Sequence, residues 1–227
     1  EIRLPRWPAA LDGFRIAQIS DLHVGALLDR SFAEAVVAAV NALRADLVAV
    51  TGDLVDGSVS LLEDEVEPFG GLRSRHGTFF VTGNHDYYSG ADPWIARIEA
   101  LGMRVLRNER VAIDHQGARF DLAGVDDHRA SLFGPGHGED LERALAGRDP
   151  ARALVLLAHD PTTFHAAAQR GVDLQLSGHT HGGQIWPFGG FVRLVVGFVA
   201  GHYVRGESQL YVSRGTGFWG PPMRLRA

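Results

Sequence analysis

Five times along this chain, a short apolar run breaks off into a loop carrying aspartate, asparagine or histidine. The loops are Asp21-Leu-His23, Gly52-Asp53-Leu-Val-Asp56, Gly83-Asn84-His85-Asp86, His159-Asp160 and Gly178-His179-Thr-His181. The runs before them, residues 14–20, 47–51, 78–82, 154–158 and 172–177, are bounded by turn residues and read as strands. Helical patterns lie between them. Phe32, Val36, Val37, Val40 and Leu43 recur at helical spacing behind Ser31, an expected N-cap. Residues 91–101 are expected as a helix with Asp92 as cap and Pro93 at the first helical position. Further helices are expected over 138–146 and 161–170, hairpins around His115-Gln-Gly117 and Gly206-Glu-Ser208, and a last strand over 223–227. The alternation predicts an α/β fold, and the hairpins predict mixed sheets. In such sheets, ligands bind beyond the carboxyl ends of the strands, so five clusters in phase converge on one crevice. A single loop Asp or His is more often a cap or a solvated turn residue; five in phase exceed coincidence.

Composition removes competing chemistries. The 227 residues include no Cys, which excludes disulfides, thiolate zinc, iron–sulfur clusters and a cysteine nucleophile. All 22 basic residues are Arg, so there is no Schiff-base lysine and no complete Walker loop. With 27 acidic residues the net charge is −5, and no nucleic-acid partner is expected. Eleven histidines remain, and imidazole is the commonest neutral metal ligand. The chain starts at Glu1 rather than Met and reads as a processed or trimmed product, any signal or anchor lying upstream. The most apolar stretch, residues 185–200, is broken by Pro187, paired glycines and Arg193, short of a membrane span.

Asp, Asn and His suit Mn, Fe, Zn or similar ions, and they are too many here for one tetrahedral zinc. Asp21, His23, Asp53, Asn84, His159, His179 and His181 suffice for two ions if one carboxylate bridges. Two such ions, about 3.5–4 Å apart, activate water and clamp an in-line displacement at phosphorus.

The series D-x-H, G-D-x-x-D, G-N-H-D, a lone H and G-H-T-H resembles the calcineurin-like metallophosphoesterase superfamily in order and spacing. Ile19-Ser-Asp-Leu-His23, Gly178-His-Thr-His-Gly-Gly-Gln184 and Tyr211-Val-Ser-Arg-Gly-Thr-Gly217 resemble a bacterial branch of phosphodiesterases often associated with membranes. The resemblance implies one domain over residues 1–227, a four-layer αββα sandwich with two mixed sheets. It implies a phosphodiesterase or pyrophosphatase with two divalent ions, manganese first expected, and a nucleophilic hydroxide held between them. One ion would take Asp21, His23, Asp53 and His181; the other, Asp53, Asn84, His159 and His179. His85 would face the phosphate and protonate the leaving oxygen, oriented by Asp56.

Other residues admit two readings. Asp86 either supports the ligands or caps a helix. Tyr87 and Tyr88 line a substrate cleft or pack in the core. His202 and Arg214 are candidate substrate contacts, against an ordinary surface role. His76, His115, His128 and His137 read as solvated, His165 as an ordinary helix residue, and the acidic run 63–67 as a helix start. The segment from Ile185 is either a buried flap or a membrane-facing lip of Trp186, Phe188, Phe191 and Phe198, with Arg193 reaching headgroups. The expected substrate is a phosphoester, lipid-linked in the lip reading and otherwise a soluble nucleotide, a general phosphodiester or a phosphomonoester. The expected location is peripheral to a membrane, or cytoplasmic in the second reading. A metal-binding scaffold without catalysis is the remaining class.

Overall fold

Alternation along the strands decides which side of each sheet is covered. In the computed structural model, which describes residues 1–225, the first sheet contains β1 (Ile16–Ile19), β2 (Leu47–Thr51), β3 (Thr78–Val81) and β4 (Arg104–Val105), parallel throughout and in that order. The second contains β5 (Glu109–His115), β6 (Ala118–Gly124), β7 (Leu154–Leu157), β8 (Leu174–Ser177), β9 (Gly201–Arg205) and β10 (Ser208–Val212). Its order is β5-β6-β7-β8-β10-β9, with antiparallel pairs at the two hairpins and parallel pairs between. Only this sheet is mixed; the first lacks a hairpin, so its strands are joined by crossovers and stay parallel.

The helices are α1 (Arg30–Ala42), α2 (Val59–Val66), α3 (Asn84–Tyr88), α4 (Ala91–Ala100), α5 (Leu141–Leu145), α6 (Phe164–Gln169) and α7 (Phe188–Val196); α1, α2 and α4 cover the outer face of the first sheet, and α5 and α6 that of the second. Val48, Val50 and Phe80 point one way, into a layer with Val36 and Val40 of α1 and Trp94 and Ile98 of α4. Leu47, Ala49, Phe79 and Val81 point the other way and meet Phe120, Leu122, Val155 and Leu157 between the sheets. Leu154 and Leu156 in turn face Leu141 and Leu145 of α5 and Ala167 of α6. The period of two along each strand therefore yields the αββα layering.

Local details depart from expectation where a neighbouring side chain caps better. Asp29, not Ser31, caps α1, its carboxylate accepting from the Ser31 amide at 3.0 Å and from the Ser31 hydroxyl at 2.6 Å. Helix α4 starts at Ala91 behind Gly90, so Asp92 and Pro93 fall inside its first turn. Asp140 caps a helix shorter than 138–146, and the acidic run lies at the end of α2. His115 is buried rather than solvated: it lies 2.9 Å from His76, and both rings pack on Phe14. His128 is exposed and pairs with Glu139, whereas His137 is half-buried beside Arg107. In the expected last strand, Leu225 makes one bridge to Ile185; residues 226–227 lie outside the described residues.

Candidate metal centre

Each cluster begins two or three residues beyond its strand: Asp21 after β1, Asp53 after β2, Asn84 after β3, His159 after β7 and His179 after β8. The two sheets are joined at this end by Gln18, whose amide donates to Thr51 Oγ1 at 2.9 Å and Ser177 O at 3.0 Å. His159 Nδ1 also donates to Thr51 O at 2.7 Å, which leaves Nε2 facing inward. The loops then turn sharply. Asp21, His23, Asp53, His179 and His181 all have φ between 50° and 73°, the left-handed region. Non-glycine residues hold such conformations at about 1–3 kcal/mol each, and only where their surroundings over-determine them. Gly52 (φ 86°) admits no side chain, because a Cβ there would lie 2.6 Å from both Gly83 N and His159 Nδ1.

The ligand atoms converge in overlapping groups: Asp21 with His23 and His181, Asp53 with His159 and His179, and His23 with Asp53 and His85. Asp53 Oδ2 lies 3.2 Å from His159 Nε2 and 3.8 Å from His23 Nε2, so one carboxylate is common to the two halves. His181 Nε2 lies 3.4 Å from Asp21 Oδ1 and 3.0 Å from His23 Nε2; His179 Nδ1 lies 3.2 Å from His159 Nε2. Asp21, His23, Asp53, Asn84, His159 and His181 are buried, and His179 nearly so.

Burial favours the neutral carboxyl, yet the charge and hydrogen bond of His159, with His23 and His85, hold Asp53 far below the carboxylate range. Burial likewise depresses His159, but Asp53, Asp21 and Asp127 outweigh it and lift the imidazole well above its ordinary value. Burial lowers His179, with the His159 charge adding to it, and brings His181 to about 4, the neutral state a metal ligand needs. Asp21 Oδ2, Asn84 Oδ1 and His181 Nδ1 are buried without a hydrogen-bond partner. Such atoms are costly unless something pairs with them, and two divalent ions of O/N preference fit this donor set.

Around this centre, Asp56 Oδ1 is shared: it accepts from His85 Nδ1 at 2.7 Å and meets His23 Nδ1 at 3.0 Å. Despite burial, these two histidines hold Asp56 well below the usual range. His85 is raised: burial opposes its charge, but Asp56 and Asp53 prevail. Asp86 both caps α3 and supports the ligands, accepting from the amides of Gly83 (2.7 Å), Leu54 (2.9 Å) and Asp53 (3.0 Å). Burial and the Asp53 charge push Asp86 up to about 7, against three amide donors that favour its ionised form.

Three substrate candidates separate. Tyr87 turns into the core against Phe133 and His137, because its position on α3 faces inward; Tyr88, one step round the helix, is exposed beside His85. His202 is on edge strand β9, tied to Gln209 at 2.8 Å, in a recess lined by Glu1, Arg3 and Gln18 rather than by the clustered residues. Arg214 is exposed, its stem passing over Gly182. Residues that sequence reasoning missed include Asp127, buried beyond β6 in the field of His159 and His179. The pair Asp126-Asp127 closes a sixth apolar run, the signal that would have found it. Arg224 is another, donating to the carbonyls of His181 (2.9 Å) and Gly217 (2.6 Å).

A family model described as calcineurin-like phosphoesterase matches residues 14–183. The chain is 42% identical over 236 residues to a bovine (Bos taurus) transmembrane protein with metallophosphoesterase domain, covering 99% of this chain and 53% of that protein. It is 40% identical over 218 residues to an uncharacterized metallophosphoesterase of Helicobacter pylori, covering 94% and 57%. The chain thus spans about half the length of these curated relatives. In fold it is similar to the Haemophilus influenzae NAD nucleotidase, with TM-score 0.59 at 16% identity, over 89% of this chain and 50% of that one. The chain belongs to the calcineurin-like phosphoesterase family.

Ions that bind only the folded state stabilise it by mass action. Adding Mn2+ at a hundredfold excess over its Kd to chelator-treated protein should raise Tm by about 5–10 °C, measured by thermal denaturation. Asp53→Asn should abolish most of that gain; an equal gain in this variant would contradict a centre built on Asp53.

Proposed function

We propose that this calcineurin-like phosphoesterase hydrolyses phosphodiester or pyrophosphate linkages with two divalent ions, manganese first expected. The observation that carries the reading is the Asp53 carboxylate, common to two groups of buried ligand atoms. Asp21, His23, Asp53 and His181 would hold one ion, and Asp53, Asn84, His159 and His179 the other. When bound, the pair would neutralise phosphate charge and supply water of lowered pKa.

The chain's own groups do the rest. His85 Nδ1 donates to Asp56, so Nε2 of the protonated ring is the atom left to face a phosphate oxygen and hand a proton to the leaving group. Asp56 fixes that orientation and keeps the ring charged. With no lysine present, Arg214 is an exposed cation beside the histidine loop, suited to a bidentate phosphate contact.

A specific observation supports a lipid-linked substrate and peripheral membrane contact. Trp186, Phe188, Phe191, Leu194 and Val195 are all more than half exposed on and before α7. Phe198 does not join them; it is buried against Phe164 and Tyr203. An apolar face of this kind, flanked by Arg193, suits insertion at a headgroup boundary. No described helix is long and apolar enough to cross a membrane.

With Mn2+, the protein should hydrolyse bis-(p-nitrophenyl) phosphate, and Asp53→Ala and Asn84→Ala should each lower kcat at least about a hundredfold, the scale of lost electrostatic stabilisation. Activity retained in both would overturn the assignment. Because Asp56 holds His85 protonated above the ordinary imidazole value, turnover should fall as pH rises through that raised pKa. Asp56→Asn removes the supporting charge and should move this alkaline limb to lower pH; an unmoved limb would remove His85 from the acid role. In flotation with anionic liposomes, wild type should rise with the vesicles and a Trp186→Ser/Phe188→Ser double variant should not. Failure of both to float would end the membrane reading.

A further inference from the structure

His85, the group read above as facing the phosphate, has two large aromatic neighbours that the rest of the fold does not use. Tyr88 lies 5.2 Å from it between ring centroids, at 69°, and Trp219 lies 6.0 Å away, at 71°. Core packing does not explain them, since Tyr88 is 55% exposed and Trp219 54%. Tyr88 follows His85 by three residues on α3, which sets both on one helix face, and Phe133 backs it at 5.5 Å.

Trp219 is held with unusual care for an exposed residue. Its loop is stitched to the first ligand loop by Thr216 N to Ser20 O (2.7 Å) and Gly217 N to Asp21 O (2.9 Å). The buried Gln184 side chain then clamps the tryptophan's backbone from both sides. Its oxygen accepts from Trp219 N at 3.0 Å, and its nitrogen donates to Trp219 O at 2.7 Å and Pro221 O at 3.2 Å. Gln184 itself sits at φ 45°, three residues after His181 in the same turn. A buried amide in a strained conformation thus fixes the main chain while the indole stays in solvent. With its main chain already ordered, the residue has only side-chain freedom left to lose when a ligand arrives.

We propose that Trp219 and Tyr88 form a stacking subsite for a planar aromatic group carried by the phosphoester, with Gln184 as the positioning residue for Trp219; this rests on the phosphoesterase reading. The chemistry is that of π faces, which accept a nucleobase or an aryl ring alike. An aliphatic chain would gain only area burial there, and the exposed apolar face of α7 already offers that elsewhere. The subsite borders His85, so the ring it holds belongs to the group esterified at the reacting phosphorus.

Calorimetric titration of the Mn-loaded chain with AMP and with ribose 5-phosphate isolates the ring, since the two probes share the sugar phosphate. AMP should bind about tenfold more tightly, the size of one base–aromatic stack. Trp219→Ala should bring the two affinities within about twofold, and Trp219→Phe should keep most of the difference because a phenyl face still stacks. Both positions are half exposed, so the variants should melt with the wild type. Equal binding of the two probes by wild type, or an unchanged ratio in Trp219→Ala, would overturn the subsite. AMP discrimination in a chain that hydrolyses no ester would uphold the subsite and sink the reaction assignment. Hydrolysis with equal probe binding would sink the subsite alone.

Discussion

A carboxylate taken almost wholly out of water must be compensated, and in this molecule that carboxylate is Asp53. Removing an ion from water costs several kcal/mol even after relaxation. Asp53 is met by His159 and His23, with its other oxygen accepting from the His85 amide at 2.8 Å. Asp21 and Asp127 are buried nearby, so the region holds more negative charge than imidazoles alone neutralise comfortably. The left-handed residues, the side-chain-free turn at Gly52 and the three amides on Asp86 all serve to keep these charges together. The sandwich supplies the platform: parallel strands end on the same side, and each sheet presents its loops to the other.

Much of this was legible in the chain because strand ends carry a readable code. Apolar runs are self-evident, and five strands that each stop at an aspartate, asparagine or histidine loop point to one shared site where a single such loop would not. The layering followed from the same runs, since residues such as Leu47 and Val48 are both apolar and so must both be covered. Mixed pairing in both sheets was over-read, because hairpin signals occur only in the second half.

Side-chain direction was harder. Tyr87 and Tyr88 are adjacent and identical in type, and only the phase of a five-residue helix sends one inward and one outward. His202 lies on an edge strand, register-paired with Tyr211 and tied by its side chain to Gln209, in a recess that Glu1, Arg3 and Gln18 also line. His115 looked solvated because its local sequence is polar, while its burial comes from Phe14, about a hundred residues earlier. Trp219 gave no signal at all. Its role depends on Gln184, a contact between segments that no local pattern encodes.

The hydrogen bond from His179 N to Asp21 Oδ1 spans 158 positions, and that from Ser20 N to Thr216 Oγ1 spans 196. Closing loops of this length is entropically slow, and contacts of such high order form late in folding. A ribosome-bound fragment that has exposed only β1 to β3 holds Asp21, His23, Asp53 and Asn84 but none of the histidines that complete either half. Metal would therefore have no finished cradle to enter early, since the proposed centre is completed only as the topology closes. Capture of the proposed ions would then come late and would favour chains whose two sheets have docked in register.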